Sequence, residues 1–175
     1  LAGGNAIRCV GKYLYEKGIV LSRDMRIETA SGVKEVRVYS FNGKVNSASV
    51  NLGKAELAGK KIPCVWNEDK IVNKPVKIGG QDYKITLVNI GNPHCVVFSE
   101  KVDAVDVETV GPLFENCDYF PERINAEFIR VVNKVTIKMR VWERGNGETW
   151  SCGTGAAAAV VAAVLNGFCE KDTNI

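Results

Sequence analysis

GNGETWSCGTGAAAAVVAAVLNG, residues 145–167, joins a glycine-rich turn directly to a run of alanine and valine. The run has the length and composition of a buried helix, and the turn places Cys152 at its N-terminus. The first N–H groups of a helix have no partner within the helix, so they attract a thiolate or a carboxylate. Because a helix N-terminus can lower the pKa of a thiol, the pattern favours Cys152 as a base or nucleophile. The alternative is a small buried residue at a strand–helix junction.

A second copy of this pattern opens the chain. A shift of 149 positions aligns GGNAIRCVGKYLYEKG (3–18) with CGTGAAAAVVAAVLNG (152–167). Each copy has a glycine turn, a small polar candidate N-cap (Asn5 or Thr154), about three helical turns and a final glycine. Two related helices predict two related lobes. Gly3 stands where the second copy has Cys152, so one copy carries the thiol and the other does not.

Composition restricts the class of protein. The chain has 175 residues, of which 46% are hydrophobic and 25% are charged, and this balance is typical of a globular protein. The net charge of +3 is small and dispersed, so we expect neither a nucleic-acid partner nor a membrane surface. The longest apolar run, 156–165, is shorter than the ~20 residues of a spanning helix. These features predict a soluble protein, and the six cysteines without paired spacing predict a cytoplasmic location.

The cysteines do not form a metal-binding or disulfide pattern. Six cysteines and one histidine are spread along the chain without paired ligand spacing. We therefore expect reduced thiols and no metal. Apart from Cys152, the cysteines are interpreted as structural, with Cys95 packing inward from a strand; the others are Cys9, Cys64, Cys117 and Cys169.

The order of elements predicts an α+β fold. After a helix over 5–17, alternating residues predict strands at 25–30, 33–41 and 47–51. The segment 57–75 is rich in turn formers and charge, so we expect no core there. Strands follow at 76–78, 81–90 and 94–98, then a helix over 103–114, two strands at 125–132 and 134–143, and the Cys152 helix.

Four motifs give the chain a family resemblance. GGNAIRC (3–9), GNPHC (91–95), FPERINAEF (120–128) and WERGNGETWSCGTGA (142–156) make it resemble diaminopimelate epimerase over essentially its whole length. The resemblance implies two pseudo-symmetric lobes, each with a curved, mostly antiparallel sheet wrapped around a central helix. It implies a remnant of the N-terminal lobe at 1–50 and a C-terminal lobe at 51–175 with its central helix at 153–166. The strands before the first motif, and a hairpin after the last helix, are expected to be missing.

The resemblance also implies a chemistry without a cofactor. Similar enzymes interconvert LL- and meso-diaminopimelate, for lysine and peptidoglycan synthesis, by moving a proton between two cysteines on opposite faces of the α-carbon. Cys152 matches the second catalytic cysteine, and His94 lies in a motif next to the catalytic pair. The matching substrate-binding positions are Gly4, Asn5, Asn92, Asn125, Glu143, Arg144, Gly153 and Thr154.

One position departs from that pattern. Gly3 occupies the place of the first catalytic cysteine, so we expect the chain as it stands to be inactive. Three explanations remain open: a change at the chain boundary, a one-base relative, or a non-catalytic amino-acid-binding paralogue. Another isomerase of the same fold, similar to proline racemase, is a further alternative. Surface exposed on an incomplete lobe also predicts self-association, with a homodimer as one outcome.

Overall fold

The computed structural model describes residues 4–30 and 32–175, and Gly3 lies outside the described residues. Contacts divide the chain into two compact units, Leu1–Gly53 and Lys54–Ile175. The boundary between the two lobes, which the family resemblance implies at residue 50, stays a prediction. Each unit is described by itself below.

The first unit packs one helix against a sheet. Helix α1 (Gly4–Glu16) is followed by strands β1 (Asp24–Thr29), β2 (Gly32–Phe41) and β3 (Lys44–Asn51), which pair antiparallel in chain order. The core forms because α1 places Ile7 against the buried face of β2, where Val36 and Val38 alternate inward. Gly11 allows this close approach, since a Cβ there would stand 2.9 Å from a Val36 methyl carbon.

The second unit is built on a mixed six-stranded sheet. Its strands lie in the order β4 (Lys74–Ile78), β5 (Gln81–Asn89), β6 (Pro93–Phe98), β7 (Asn125–Asn133), β8 (Thr136–Glu143) and β9 (Gly147–Thr149). Neighbouring strands run antiparallel except β6 and β7, which are parallel. Helix α2 (Val107–Glu115) connects this parallel pair, as a crossover must. Helix α3 (Gly153–Leu165) follows β9 and packs on β5 to β8.

The α+β class and the mostly antiparallel sheet are confirmed, but two local predictions are wrong. The segment 57–75 does enter the core, because Ile62 and Ile71 are each 1% exposed and pack with Phe128. Turn-forming and charged residues surround these two apolar residues, so the local sequence pattern did not predict their burial. The helix expected from residue 103 begins only at Val107, because the side chain of Asp106 accepts the N–H of Thr109 and caps it there.

Both copies of the repeated pattern form a helix that ends in the same hydrogen bonds. Helices α1 and α3 each span 13 residues, and their first and last residues are related by the same shift of the sequence. Gly18 and Gly167 follow them in the left-handed region, with φ of 66° and 75°. In both copies the glycine N–H bonds to the carbonyl three residues earlier, and the next N–H bonds five residues back.

Candidate active site

Helix α3 begins at the candidate catalytic thiol. Cys152 is the N-cap in extended conformation, and its Sγ accepts the backbone N–H of Gly155 at 3.4 Å. Alanine and valine then favour a helix that can be buried on several sides, and Ala158, Ala159 and Ala162 are fully buried. The geometry corrects two sequence predictions, because Thr154 and Asn5 are the second residues of their helices rather than N-caps.

The chemical environment of Cys152 also differs from the expected one. Burial raises the pKa of the Cys152 thiol above its ordinary value, and hydrogen bonds from Thr154 and Gly155 only partly oppose this rise. The negative charges of Glu143 and Glu127 raise the pKa further. The sequence argument counted the helix N-terminus and missed the cost of taking a thiolate out of water. Cys152 is therefore a thiol at neutral pH in this structure, suited to donate a proton.

A chain of polar contacts leads away from the sulfur and is fully buried only at its far end, at His94 and Glu127. Thr154 Oγ1 lies 3.5 Å from Cys152 Sγ, and Asn92 Nδ2 donates to the same hydroxyl oxygen at 3.3 Å. The other atom of that amide, Oδ1, lies 2.9 Å from Nε2 of His94. On the far side of the ring, Nδ1 lies 2.7 Å from Oε1 of Glu127. The chain joins β6, β7 and the first turn of α3.

Strand alternation explains why these side chains meet. In β6 and β7, Cys95 and Ala126 belong to the core on one face of the sheet, whereas His94 and Glu127 point to the opposite face. That face carries α3, because a Cβ on Gly155 would stand 2.7 Å from Glu127 Oε1. His94 and Glu127 are both 0% exposed. The expected inward packing of Cys95 is confirmed, and burial raises its pKa well above the ordinary value.

Asn125 connects two of the predicted site segments. Its Nδ2 donates to the Pro93 carbonyl at 2.8 Å, and its Oδ1 accepts the backbone N–H of Arg144 at 2.9 Å. The residue is 5% exposed, so its amide supports the backbone of the GNPH turn and of the turn after β8. Asn125 thereby holds the chain at His94 and at Arg144 in register.

The Glu143–Arg144 pair is divided between two sets of contacts. Glu143 Oε1 accepts the hydroxyl of Thr149 at 2.5 Å. Arg144 Nη1 donates to the carbonyl of Glu122 at 2.9 Å. The two side chains therefore point to different partners, and no ion pair between them is among the contacts of the described residues.

The first-helix positions belong to the other unit. Gly4 and Asn5 are the first two residues of α1, and the side chain of Asn5 accepts a hydrogen bond from Arg8. A Cβ added to Gly4 or to Gly153 would meet no atom of the described residues within 4 Å. Gly3, the remaining predicted position, lies outside the described residues.

Sequence reasoning missed Glu127. It lies in the quoted motif FPERINAEF, but its position in a strand of apolar residues was the only signal available. A carboxylate at a fully buried strand position requires a partner, and that requirement could have drawn attention to the single histidine.

Metal and membrane features of the described residues can be stated briefly. Across residues 4–30 and 32–175, no three His, Cys, Asp or Glu side chains are grouped as ligands for a metal ion. Over the same ranges, the helices are all too short or too polar to cross a membrane.

Solved structures with the same fold include two amino-acid isomerases. A hydroxyproline epimerase from Agrobacterium vitis matches with a TM-score of 0.67 and 13% identity, covering 95% of this chain and 52% of the other. A probable proline racemase from Agrobacterium radiobacter matches with a TM-score of 0.68 and 16% identity, covering 95% and 53%. At these identities the likeness establishes the fold alone.

Sequence comparison gives closer relatives. The diaminopimelate epimerase of Pelotomaculum thermopropionicum is 50% identical over 172 residues, covering 98% of this chain and 61% of the relative. That of Desulfovibrio desulfuricans is 45% identical, covering 98% and 62%. The chain thus spans about three-fifths of the length of these curated relatives. The family model for diaminopimelate epimerase matches residues 86–175, which carry both the GNPH turn and the Cys152 helix, and the chain therefore belongs to the diaminopimelate epimerase family.

Proposed function

We propose that the protein to which this chain belongs is an isomerase that interconverts LL- and meso-diaminopimelate, in the supply of lysine and peptidoglycan precursors. The observation that carries the proposal is the placement of Cys152 as N-cap of α3, with Thr154 and Gly155 bonded to its sulfur. Two relatives named diaminopimelate epimerase, at 50% and 45% identity, support the choice of substrate.

The proposed reaction moves one proton off the α-carbon and one proton onto it. A thiolate on one face removes the α-proton, and the electron pair is delocalised into the α-carboxylate. The Cys152 thiol donates its proton to the other face and becomes a thiolate, so the stereocentre is inverted and the proton count is unchanged. Positioned acid–base groups of this kind contribute about 10²–10⁴-fold to a rate.

The remaining proposed roles concern binding. The N–H groups at Gly153 and Thr154 hold the α-carboxylate as charge accumulates there, with Gly4 and Asn5 as the corresponding cradle on α1. His94 and Asn92 are proposed to influence the Cys152 thiol and not the substrate directly, through the hydrogen bond of Asn92 to Thr154. Asn125, Glu143 and Arg144 are proposed to bind the distal amino-acid end, with the guanidinium suited to a carboxylate. The proposed chemistry uses side chains and backbone alone, without a cofactor.

Gly3 decides whether the reaction can be completed. A glycine has no group to exchange a proton, so the proposed two-thiol reaction has no second thiol at position 3 of the sequence given. We infer that the protein with Gly3 does not epimerise its substrate and that Gly3→Cys supplies the missing thiol.

The test follows the α-proton by NMR in deuterated water with LL- and meso-diaminopimelate. The complete protein carrying Cys at position 3 should exchange the α-proton and interconvert the isomers, whereas the Gly3 form should not invert. Cys152→Ser in the active form should abolish inversion. Cys9, exposed on α1, provides the matched control, because Cys9→Ser should retain inversion. No exchange in either form would overturn the proposal.

The residue Gly3 itself favours a second candidate, a non-catalytic amino-acid-binding paralogue that keeps the carboxylate cradle. Calorimetric titration of the complete Gly3 protein with diaminopimelate separates the two functions. Binding without any inversion after Gly3→Cys would favour the paralogue, and binding with inversion would favour the epimerase.

A further inference from the structure

Glu127 occupies a position that the proposed reaction does not use. It is 0% exposed, at the third residue of β7, and Oε1 contacts His94 Nδ1 at 2.7 Å. Among the described residues, Oε2 has no hydrogen-bond partner. Within the described part of the chain, the imidazole is therefore the polar side chain that compensates this carboxyl group for the loss of water.

Burial favours protonation states of this pair that carry no net charge. A carboxylate beside a neutral imidazole would leave an uncompensated charge in the interior, which is strongly unfavourable. Two forms avoid it: an imidazolium with a carboxylate, or a neutral imidazole with a carboxylic acid. In both forms one proton lies between Oε1 and Nδ1, and the other ring nitrogen, Nε2, also carries a proton.

A protonated Nε2 sets the direction of every later hydrogen bond. Nε2–H donates to Asn92 Oδ1, so the amide must present its Nδ2 group to Thr154 Oγ1. The Thr154 hydroxyl then accepts from Asn92 and has its own proton free to donate to Cys152 Sγ. With the Gly155 N–H, two donors point at the sulfur, an arrangement that stabilises a thiolate.

We propose, on the basis of the proposed function, that Glu127 is a positioning residue that directs this chain of hydrogen bonds toward Cys152. It acts through His94, Asn92 and Thr154 and need not touch the substrate. The charged groups that act on the thiol from the packed strands are Glu127 on β7 and Glu143 on β8. His94 on β6 is titratable and contacts Glu127 and Asn92.

Direct electrostatics would have the opposite sign. The negative charge of Glu127 by itself raises the pKa of Cys152, so its removal should make the thiolate easier to form. Loss of the directed chain should make the thiolate harder to form, because Thr154 would no longer have to donate to the sulfur. The sign of the effect therefore separates a positioning role from a bare charge.

The first measurement uses the single histidine of the chain. In a ¹⁵N-histidine-labelled sample of the complete protein, the ring nitrogen signals of His94 are those that His94→Gln removes. We expect a one-bond N–H correlation at Nε2 at pH 7–8. An unprotonated Nε2 at that pH would overturn the proposal. The matched control is Glu115→Gln, which alters another buried carboxyl group that bonds Trp142 and Arg123 and should leave the His94 signals unchanged.

The second measurement follows the thiol with ¹³Cβ-labelled cysteine, the Cys152 signal being assigned through Cys152→Ser. Glu127→Leu should move the titration midpoint of Cys152 upward by about one pH unit, a tenfold loss of thiolate that matches one hydrogen bond. Glu127→Gln should stay within a few tenths of the parent, because its amide can donate to Nδ1 and keep the proton on Nε2.

The outcomes are separable from the proposed function. A downward shift in both variants would overturn the positioning role, and equal upward shifts in Gln and Leu would do so as well. If Glu127→Leu does not fold, the Cys152 midpoint in Glu127→Gln and the protonation of His94 Nε2 in the parent protein still test the positioning role. Neither readout requires turnover, so a protein that shows the expected shifts but no inversion would refute the epimerase while retaining the role of Glu127.

Discussion

At the residue scale, the site depends on the absence of a side chain at Gly155. A Cβ there would lie 2.7 Å from Glu127 Oε1 and 3.3 Å from Cys152 Sγ. The first turn of α3 can therefore cover the buried carboxyl group and still present its N–H to the thiol. Glycine is required here for space, since φ at this position is not in the left-handed region.

We expect Gly155→Ala to destabilise the protein by about 1–3 kcal/mol, because the added methyl must displace Glu127 or the helix start. Urea unfolding followed by circular dichroism measures the change. Gly153→Ala is the matched control, since a Cβ at that position meets nothing within 4 Å, and its stability should be nearly unchanged. Equal effects at the two glycines would show that packing against Glu127 is unimportant.

The hydroxyl of Thr154 provides a second test at the same scale. Its hydrogen bond lowers the pKa of Cys152, so Thr154→Val should raise that pKa, by about one unit or less for a single hydrogen bond. In an active protein, the limb of the pH–rate profile that reports formation of the Cys152 thiolate should move to higher pH. The ¹³Cβ titration of Cys169, on a separate surface position, should not change. An unchanged Cys152 midpoint would contradict the contact.

At the element scale, the two repeated helices end in the same manner. Gly18 and Gly167 adopt φ of 66° and 75°, and a Cβ at either position would meet no atom within 4 Å. Their requirement for glycine is therefore conformational and not steric. The same hydrogen-bonded turn after α1 and after α3 agrees with a duplicated helix, although the residues within the two helices differ.

We expect Gly18→Ala and Gly167→Ala each to cost about 1–2 kcal/mol, the energy of placing an L-residue in the left-handed region. Hydrogen exchange of the last turn of α1 and of α3 reports the two effects separately. Gly4→Ala, at a helical position with open space around it, is the control and should not weaken α1. Unchanged hydrogen-exchange protection in both variants would refute the glycine turn as a source of helix stability.

At the scale of the whole molecule, the second unit is held together by a buried carboxylate outside the candidate site. Glu115, 5% exposed at the end of α2, accepts hydrogen bonds from Trp142 Nε1 at 2.6 Å, Arg123 Nη1 at 3.0 Å and the Gly145 N–H at 2.8 Å. It thereby ties α2 to β8, to the loop before β7 and to the turn that carries Arg144.

We expect Glu115→Ala to destabilise the protein by about 3 kcal/mol, because three donors lose their partner and each of these three hydrogen bonds is partly buried. Glu148→Ala is the matched control, since its partly exposed ion pair with Arg140 should be worth less than about 1 kcal/mol. Differential scanning calorimetry compares the two. Similar losses in both variants would show that the buried carboxylate has no special role.

The sequence by itself determined the local features of this protein. Hydrophobic periodicity and turn residues predicted both repeated helices, most strands and the position of Cys152 at a helix start, because these depend on neighbours within a few residues. The quoted motifs identified the family and the candidate residues in the GNPH turn and at Glu143 and Arg144. Those functional assignments remain predictions for the experiments above.

Only the tertiary structure decided the environment of those residues. The raised pKa of Cys152, the partnership of His94 with Glu127 and the core positions of Ile62 and Ile71 depend on segments far apart in the chain. Burial, and the polar partner that burial requires, are set by the packing of a helix on a sheet. A local pattern cannot specify them, because the same helix start would lower the pKa of a thiol in water and fails to do so when covered.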